Sequence, residues 1–258
     1  MRLVVKIGTS TLTHETGRLN LRRTGLLCRV LGDLKNAGNE VIIVSSGAIG
    51  MGVGKLALNE RPQDIPTKQA AAAVGQSELM YTYDRLFSEY HHTVAQILLT
   101  GDDFGHTDRH TNFRNTLLRL LELGAIPVIN ENDTVATDEI RVGDNDTLSA
   151  MVAVSVRADL LILLSDIDGL YTADPHKNAD ARLIPTVTEL TDEIRALGGD
   201  KGSALGTGGM KTKLRAAEIC MNNGVDMAIL NGADPEKIYD LTDGRPVGTR
   251  FFAKGGRK

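Results

Sequence analysis

The residues of this chain that could do chemistry fall into two glycine-flanked lysine segments and an acidic, amide-rich stretch between them. Lys6-Ile-Gly-Thr-Ser10 lies near the start, and Gly206-Thr-Gly-Gly-Met-Lys-Thr-Lys213 lies near the end. Asn130-Glu-Asn-Asp133 and Gly143-Asp-Asn-Asp146 lie between them. Ammonium and backbone N–H groups suit phosphate oxygens, whereas carboxylates and amides suit a small charged molecule. The combination predicts a kinase that acts on a small molecule.

Lys6 interrupts an apolar strand pattern over Leu3–Ile7 and precedes Gly8. Its ammonium group would emerge at the carboxyl end of the strand, where desolvation is costly unless an anion lies close. The alternative is a lysine that simply reaches solvent at a strand end, and spacing does not separate the two. The segment is not a Walker A loop, because the sequence Gly-x-x-x-x-Gly-Lys-Ser/Thr is absent.

The glycine-rich segment before Lys213 runs into a helical pattern that starts near Gly209 and places Lys211 and Lys213 in the first turn. The apolar positions of that pattern are Met210, Leu214, Ala217 and Met221. A cation at the positive end of a helix dipole costs about 0.3–1 kcal/mol when exposed. A bound polyphosphate would neutralise both lysines. The alternative is a flexible loop that enters an ordinary helix.

A second candidate anion site is Ser45-Ser46-Gly47-Ala48, which follows a predicted strand and opens a helix. Helix N-termini attract carboxylates and phosphates. Gly50, Gly52 and Gly54 would permit a close approach of the backbone to a ligand. A plain N-cap serine is the competing interpretation.

The acidic, amide-rich stretch flanks a predicted hairpin over 134–142. Asn130, Asn132 and Asp133 precede it, and Asp144 to Asp146 follow it and lead into a predicted helix over 147–156. A single asparagine or aspartate usually forms part of a turn, and Asp144 or Asp146 could be an N-cap. Two clusters at the two ends of one excursion favour a ligand site.

Ser165 and Asp166 follow another predicted strand, where the ribose or base of a nucleotide could lie, although the pattern is also typical of plain turns. The histidines form no pattern with a serine or cysteine nucleophile, and we expect surface or structural roles for all six, which are His14, His91, His92, His106, His110 and His176.

The net charge of −4, from 29 Lys and Arg against 33 Asp and Glu, gives no global attraction to nucleic acid or an anionic membrane. Apolar runs are far shorter than the roughly 20 residues of a spanning helix, and the N-terminus lacks a signal-peptide core. Cys28 and Cys220 lie in amphipathic helical patterns without metal-ligand spacing, which predicts buried free thiols. We therefore expect a cytoplasmic protein.

Short aliphatic runs alternate with amphipathic helical patterns along the chain. These runs are Leu3–Ile7, Glu40–Ser45, Thr93–Leu99, Ile126–Ile129, Leu160–Leu164 and Asp226–Leu230. Most are apolar on both faces, as in parallel strands covered by helices on two sides. The pattern predicts an α/β protein, a three-layer α/β/α sandwich around a mostly parallel sheet, formed as a single domain over residues 1–258.

Together these motifs resemble the amino acid kinase family. The match extends over nearly the whole chain, and it includes Ile43-Val-Ser-Ser-Gly-Ala-Ile49 and Asn130-Glu-Asn-Asp-Thr-Val-Ala-Thr137. The resemblance implies the amino acid kinase fold. It also implies ATP-dependent phosphorylation of the γ-carboxylate of L-glutamate, the first step of proline biosynthesis. The sequence shows no dedicated metal cage, which suits Mg²⁺ held mainly by phosphate oxygens and water.

Carried over by motif position, the resemblance implies that Lys6 and Lys213 contact the transferring phosphoryl group, with Asp146 holding both lysines. It implies that glutamate binds at Ser46, Asp133 and Asn145. It implies that ATP binds at Lys6, Gly8, Ser165, Asp166, Thr207, Gly208, Gly209, Met210, Lys211, Thr212 and Lys213.

Two departures from the family pattern stand out. Ser165 replaces the usual threonine and keeps the hydroxyl. The sequence ends where the C-terminal PUA domain of longer members would begin, so we expect either a short member without that domain or part of a longer protein. The resemblance further implies feedback inhibition by proline, a homodimer or homotetramer, and contact with glutamate-5-phosphate reductase. Two other hypotheses stay open: a catalytically silent amino-acid sensor, and a scaffold that works only in complex with the next enzyme.

Overall fold

The computed structural model describes residues 1–14, 18–136, 144–175, 177–199 and 209–253. Within these ranges strands and helices alternate along the chain. In order they are β1 Arg2–Ile7, α1 Thr9–Leu12, α2 Leu21–Asn36, β2 Glu40–Ser45, α3 Ala48–Lys55, α4 Ile65–Ser88, β3 Val94–Leu99, α5 Gly101–Gly105, α6 Thr107–Glu122, β4 Ile126–Glu131, α7 Asn145–Ser155, β5 Leu160–Ser165, β6 Thr186–Val187, α8 Asp192–Ala196, α9 Met210–Asn222, β7 Asp226–Asn231, α10 Lys237–Thr242 and β8 Thr249–Phe251.

The eight strands form one sheet in the order β3-β4-β2-β1-β5-β7-β8-β6. The six strands from β3 to β7 run parallel, whereas β8 is antiparallel to β7 and pairs in parallel with β6. All six strands predicted from aliphatic runs are confirmed, as is the mostly parallel sheet. The sequence did not reveal β6 and β8, because strands of two and three residues carry too little pattern to recognise.

Successive residues of the central strands point to opposite faces of the sheet, and each face carries its own buried core. On one face, Val4 of β1 packs with residues of α6, α7 and α9. On the other face, Leu3, Val5 and Ile7 pack with residues of α2, α4 and α10. This arrangement confirms the three-layer sandwich. Lys6 has the same parity as Val4, so its side chain leaves the sheet on the face that α7 and α9 cover.

Helices α3 and α4 approach each other closely through two glycines. A Cβ atom on Gly75 would lie 1.7 Å from the carbonyl oxygen of Ala48, and one on Gly52 would lie 1.8 Å from that of Ala71. Gly52 therefore serves helix packing, and the approach of a ligand to the backbone of this turn stays a prediction. Only glycine allows this crossing, which brings the start of α3 against the middle of α4.

The strand order changes direction at β1, which lies between β2 and β5. In open parallel sheets, ligands bind beyond the carboxyl ends of the strands at such a point. Of the predicted hairpin, Thr134 and Val135 lie in a turn, and residues 137–143 lie outside the described residues. Among the helices that the structure describes, none is long and apolar enough to cross a membrane.

Candidate active site

A buried ion-paired triad lies at the carboxyl end of β1. Asp146 Oδ1 is 2.8 Å from Lys6 Nζ, and Asp146 Oδ2 is 3.1 Å from Lys213 Nζ. The hydroxyl of Thr212 donates to the same Oδ2 at 2.8 Å. One carboxylate therefore fixes two ammonium groups that come from opposite ends of the sequence.

The triad is almost fully shielded from solvent, since Asp146 is 1% exposed, Lys213 5% and Lys6 9%. Burial by itself raises the pKa of Asp146. The charges of Lys6 and Lys213, with hydrogen bonds from Lys6 and Thr212, outweigh burial and hold the pKa of this carboxyl well below its usual range. Two lysines against one carboxylate leave an excess of positive charge, which an anionic ligand would neutralise.

The first turn of α7 separates the roles of two neighbouring aspartates. Asp144 is the N-cap, and its side chain accepts a hydrogen bond from the backbone N–H of Thr147 at 2.7 Å. Asp146 instead points to the two lysines. The N-cap interpretation is thus right for Asp144 and wrong for Asp146.

The first turn of α9 likewise separates its two lysines. The helix starts at Met210, and its N-cap Gly209 contributes no side-chain hydrogen bond. Lys213 is buried against Asp146, whereas Lys211 is exposed. The sequence pattern does not distinguish the two lysines. In the structure, the carboxylate of Asp146 compensates the charge of Lys213 near the positive end of the helix dipole. Thr207 and Gly208 lie outside the described residues.

A cluster of amide and hydroxyl groups lies at the carboxyl ends of β2 and β4. Asn145 Nδ2 lies 2.7 Å from Ser46 Oγ, 3.1 Å from Asn130 Oδ1 and 3.3 Å from the carbonyl oxygen of Ser45. The N-cap of α3 is Gly47, which has a φ of 105° and makes no side-chain cap bond. The interpretation of Ser45 or Ser46 as an N-cap is therefore wrong, and Ser46 instead joins Asn145.

A pocket of about 240 Å³ adjoins this cluster. Asp133 lines the pocket together with Gln76 of α4 and Ala48, the first residue of α3. Gln76 is buried, and its Oε1 accepts a hydrogen bond from Asn130 Nδ2 at 3.0 Å. Sequence reasoning missed Gln76, because a single glutamine in an alanine-rich helix gives no signal of function.

The carboxyl ends of β5 and β7 carry a second polar cluster. The hydroxyl of Ser165 donates to Asp166 Oδ1 at 3.1 Å, and Ser165 pairs in register with Asn231. Asn231 Nδ2 donates to Asp168 Oδ1, also at 3.1 Å. Ser165 and Asp166 thus lie at the edge of the sheet where they were predicted, and Asn231 and Asp168 extend the cluster.

The end of β1 connects the two polar clusters. The backbone N–H of Ser46 donates to the carbonyl oxygen of Ile7 at 2.9 Å. On the other side, a Cβ atom on Gly8 would lie 3.6 Å from the carbonyl oxygen of Leu164 and 3.5 Å from Lys6 Nζ. The lysine pair therefore lies between the Ser46–Asn145 cluster and the Ser165–Asp166 cluster. An acceptor bound at the first and a nucleotide at the second would meet at the lysines.

The cysteines and His110, whose side chains could act as nucleophiles or metal ligands, make structural contacts instead. Cys28 and Cys220 are buried free thiols, and burial raises the pKa of both. The ring of His110 lies 2.7 Å from Ser155 Oγ, a contact that the sequence did not suggest, and this serine hydroxyl also donates to the carbonyl oxygen of Met151. Across the described residues, no group of three or more His, Cys, Asp or Glu side chains could hold a metal.

Comparison with known proteins establishes the class to which this fold and site belong. The model of the amino acid kinase family matches residues 1–231, and the chain belongs to this family. Among solved structures, carbamate kinase from Giardia lamblia bound to AMP-PNP superimposes with a TM-score of 0.70 at 16% identity and covers 98% of each chain. An isopentenyl phosphate kinase superimposes with a TM-score of 0.68 at 19% identity over 97% of this chain and all of its own. At these identities the likeness concerns the fold alone.

Within the family, the chain is similar to curated glutamate 5-kinases. It is 57% identical to that of Carboxydothermus hydrogenoformans over 254 residues, which cover 98% of this chain and 68% of the relative. It is 54% identical to that of Clostridium acetobutylicum, over 98% of this chain and 95% of the relative. The relatives thus differ in length, and the similarity spans almost all of this chain in both comparisons.

Proposed function

We propose that this chain phosphorylates the γ-carboxylate of L-glutamate with ATP, giving ADP and L-glutamate 5-phosphate for proline biosynthesis. The observation that carries the proposal is the pair of buried lysines held by Asp146 between two polar clusters. Identities of 50% or more to curated glutamate 5-kinases support the choice of substrate.

The reaction needs charge compensation more than proton transfer. A γ-carboxylate with a pKa near 4.3 is already ionised at neutral pH, so its oxygen can attack phosphorus without a general base. The barrier lies in bringing one anion against another and in stabilising charge on the equatorial oxygens. Lys6 and Lys213 supply that charge, and Asp146 keeps both ammonium groups in place.

Glutamate would bind at Ser46, Asn145 and Asp133. Ser46 Oγ accepts a hydrogen bond from Asn145, so its own hydroxyl hydrogen can donate to a substrate carboxylate. Asp133 lines the adjoining pocket, where its charge suits the substrate ammonium group. Together these groups would orient the γ-carboxylate toward the lysines.

ATP would bind along the other side of β1. Gly8, Gly209, Met210 and Thr212 would approach the phosphates, with Thr207 and Gly208 in the same role, and the exposed Lys211 would add charge. Ser165 and Asp166 would contact the nucleoside. The carboxylate nearest the reacting groups, Asp146, has both oxygens engaged, so Mg²⁺ would be held mainly by triphosphate oxygens and water.

The finer biological assignments rest on the family resemblance. They are inhibition by proline, assembly into a homodimer or homotetramer, contact with glutamate-5-phosphate reductase, and a cytoplasmic location. We also propose that residues 1–258 form one domain, since strands from β1 to β8 share a single sheet.

Trapping of the acyl phosphate tests the proposed function. Purified protein with MgATP and hydroxylamine should form the γ-hydroxamate of L-glutamate in step with ADP release. L-aspartate and N-acetylglutamate should give at most a few per cent of that rate. A folded protein that binds ATP but forms no hydroxamate would contradict the proposal and favour an amino-acid sensor or a scaffold.

A further inference from the structure

A chain of buried amides links helix α4 to the proposed substrate site. Gln76 Oε1 accepts from Asn130 Nδ2 at 3.0 Å, and Asn130 Oδ1 lies 3.1 Å from Asn145 Nδ2. Asn130 is 2% exposed and Gln76 is 8% exposed. None of the assigned roles includes Gln76 or Asn130.

Two backbone groups fix which end of each amide faces which neighbour. The backbone N–H of Glu131 donates to Asn130 Oδ1 at 2.9 Å, so this atom must be the oxygen and Asn130 Nδ2 must face Gln76. The carbonyl oxygen of Ser45 can only accept, so the atom of Asn145 that faces it must be Nδ2. The carbonyl oxygen of Asn145 is therefore left on the opposite side of its planar amide.

The burial of Gln76 carries a cost that an apolar residue would avoid. Its Nε2 is buried and has no hydrogen-bond partner among the described residues. An unsatisfied buried donor costs about 1–3 kcal/mol. The compensating contact is the one that Oε1 makes with Asn130, and the close crossing at Gly75 holds this part of α4 against Ala48.

We infer that Gln76 is a positioning residue for glutamate binding, because it holds the Asn145 amide, through Asn130, with its carbonyl oxygen presented to the substrate ammonium group. The inference rests on the proposed function, since it assigns a role within the same substrate site. The hydrogen bond that the Gln76 side chain makes runs to Asn130, and among the described contacts the ammonium groups of Lys6 and Lys213 pair with Asp146.

The test compares Gln76→Met, which keeps the length of the side chain but removes the acceptor, with the wild type. Thr82→Val is the matched control, because Thr82 is a buried polar residue of α4 whose hydroxyl donates to the carbonyl oxygen of Glu78 in its own helix. Kinetics give KM and kcat for glutamate and KM for ATP. Calorimetry gives the Kd for glutamate independently of turnover.

Gln76→Met should raise KM and Kd for glutamate about three- to tenfold, with kcat and KM for ATP within about twofold of the wild type. In the Asn145→Ala background the same substitution should have no further effect, because Gln76 acts through Asn145. Thr82→Val should leave all these constants unchanged.

A second variant does not depend on the packing of α4. Asn145→Asp would place a carboxylate oxygen against Ser45 O and Asn130 Oδ1, so it should weaken glutamate binding at least about tenfold, although it adds a charge that favours the ammonium group. The inference would be overturned if Asn145→Asp, or folded Gln76→Met, bound glutamate with the Kd of the wild type. The proposed kinase function would still stand in that case, provided that the wild-type protein phosphorylates glutamate. Wild-type protein that neither binds nor phosphorylates glutamate would overturn both.

Discussion

Asp146 and Lys6 form an ion pair of 2.8 Å in which the carboxylate side chain is 1% exposed and the lysine side chain 11% exposed. The pair joins the first turn of α7 to the last residues of β1, the strand between the two polar clusters. A buried charge that loses its partner is strongly destabilising, so the pair ties the position of the lysine to the fold itself.

Removal of Lys213 should affect turnover far more than binding. Lys213→Met should lower kcat about 10²–10³-fold, because a preorganised charge near the transferring phosphoryl group is lost, while Asp146 keeps Lys6 as its counterion. Steady-state kinetics together with circular dichroism would measure the effect. Arg215→Ala, an exposed cation of the same helix, is the control, and wild-type kcat in folded Lys213→Met would remove this lysine from the mechanism.

Asp146→Asn should lower the activity and the stability at neutral pH, and it should weaken the dependence of stability on acid pH. The folded carboxyl has a lowered pKa, so it adds stability above its unfolded pKa of about 3.9, and that stability is lost as the pH falls toward the folded value. The variant should be about 3–5 kcal/mol less stable at pH 7, and its free energy of unfolding should decline less steeply below about pH 4.

Urea denaturation between pH 3 and 7 would measure these curves. Asp84→Asn, at an exposed position of α4, should follow the wild-type curve. Parallel curves for the wild type and Asp146→Asn would show that this carboxylate contributes nothing to the acid sensitivity of the fold.

The crossing of α3 and α4 should not tolerate a methyl group. Gly75→Ala should destabilise the protein by several kcal/mol, because its Cβ would lie 1.7 Å from the carbonyl oxygen of Ala48. Gly25→Ala is the matched control, since no described atom outside the local backbone of its own helix lies within 4 Å of its Cβ position, and alanine favours a helix by about 0.5–1 kcal/mol. Thermal unfolding of both variants would measure the effect. A wild-type melting temperature for Gly75→Ala would contradict the close crossing of the two helices.

Both cysteines should resist labelling in the native protein. Burial raises the pKa of Cys220 to about 12 and that of Cys28 further, so few thiolates exist at pH 8 and reagents have little access. A thiol-reactive dye should label neither in buffer within minutes and both in denaturant. Rapid native labelling would indicate that α2 or α9 opens readily.

The sequence predicted those elements whose pattern is local and repeated. The aliphatic run around Val4 is buried on both faces, so its periodicity alone indicates a central strand, and Lys6 stands out because it interrupts that run. The same logic placed the start of α9 near Gly209. The lysine segments and the acidic stretch were recognisable because their residue types are unusual in such positions.

The remaining features depend on contacts between distant residues. Local patterns could not show that Lys213 is buried and Lys211 exposed, or that Asp144 caps a helix while Asp146 pairs with lysines, because partners on other elements decide each case. Gln76 gave no signal, because its importance depends on Asn130 of another element.

Transfer of an oxygen isotope tests the central claim most directly. L-glutamate labelled with ¹⁸O in the γ-carboxylate is incubated with the protein, MgATP and hydroxylamine, and the inorganic phosphate is examined by mass spectrometry. Attack of the γ-carboxylate on phosphorus leaves its oxygen in the P–O–C bridge, and hydroxylamine then displaces the phosphate with that oxygen. We predict one ¹⁸O atom in each phosphate released; ADP formation with unlabelled phosphate would show that water is the acceptor and would contradict the account.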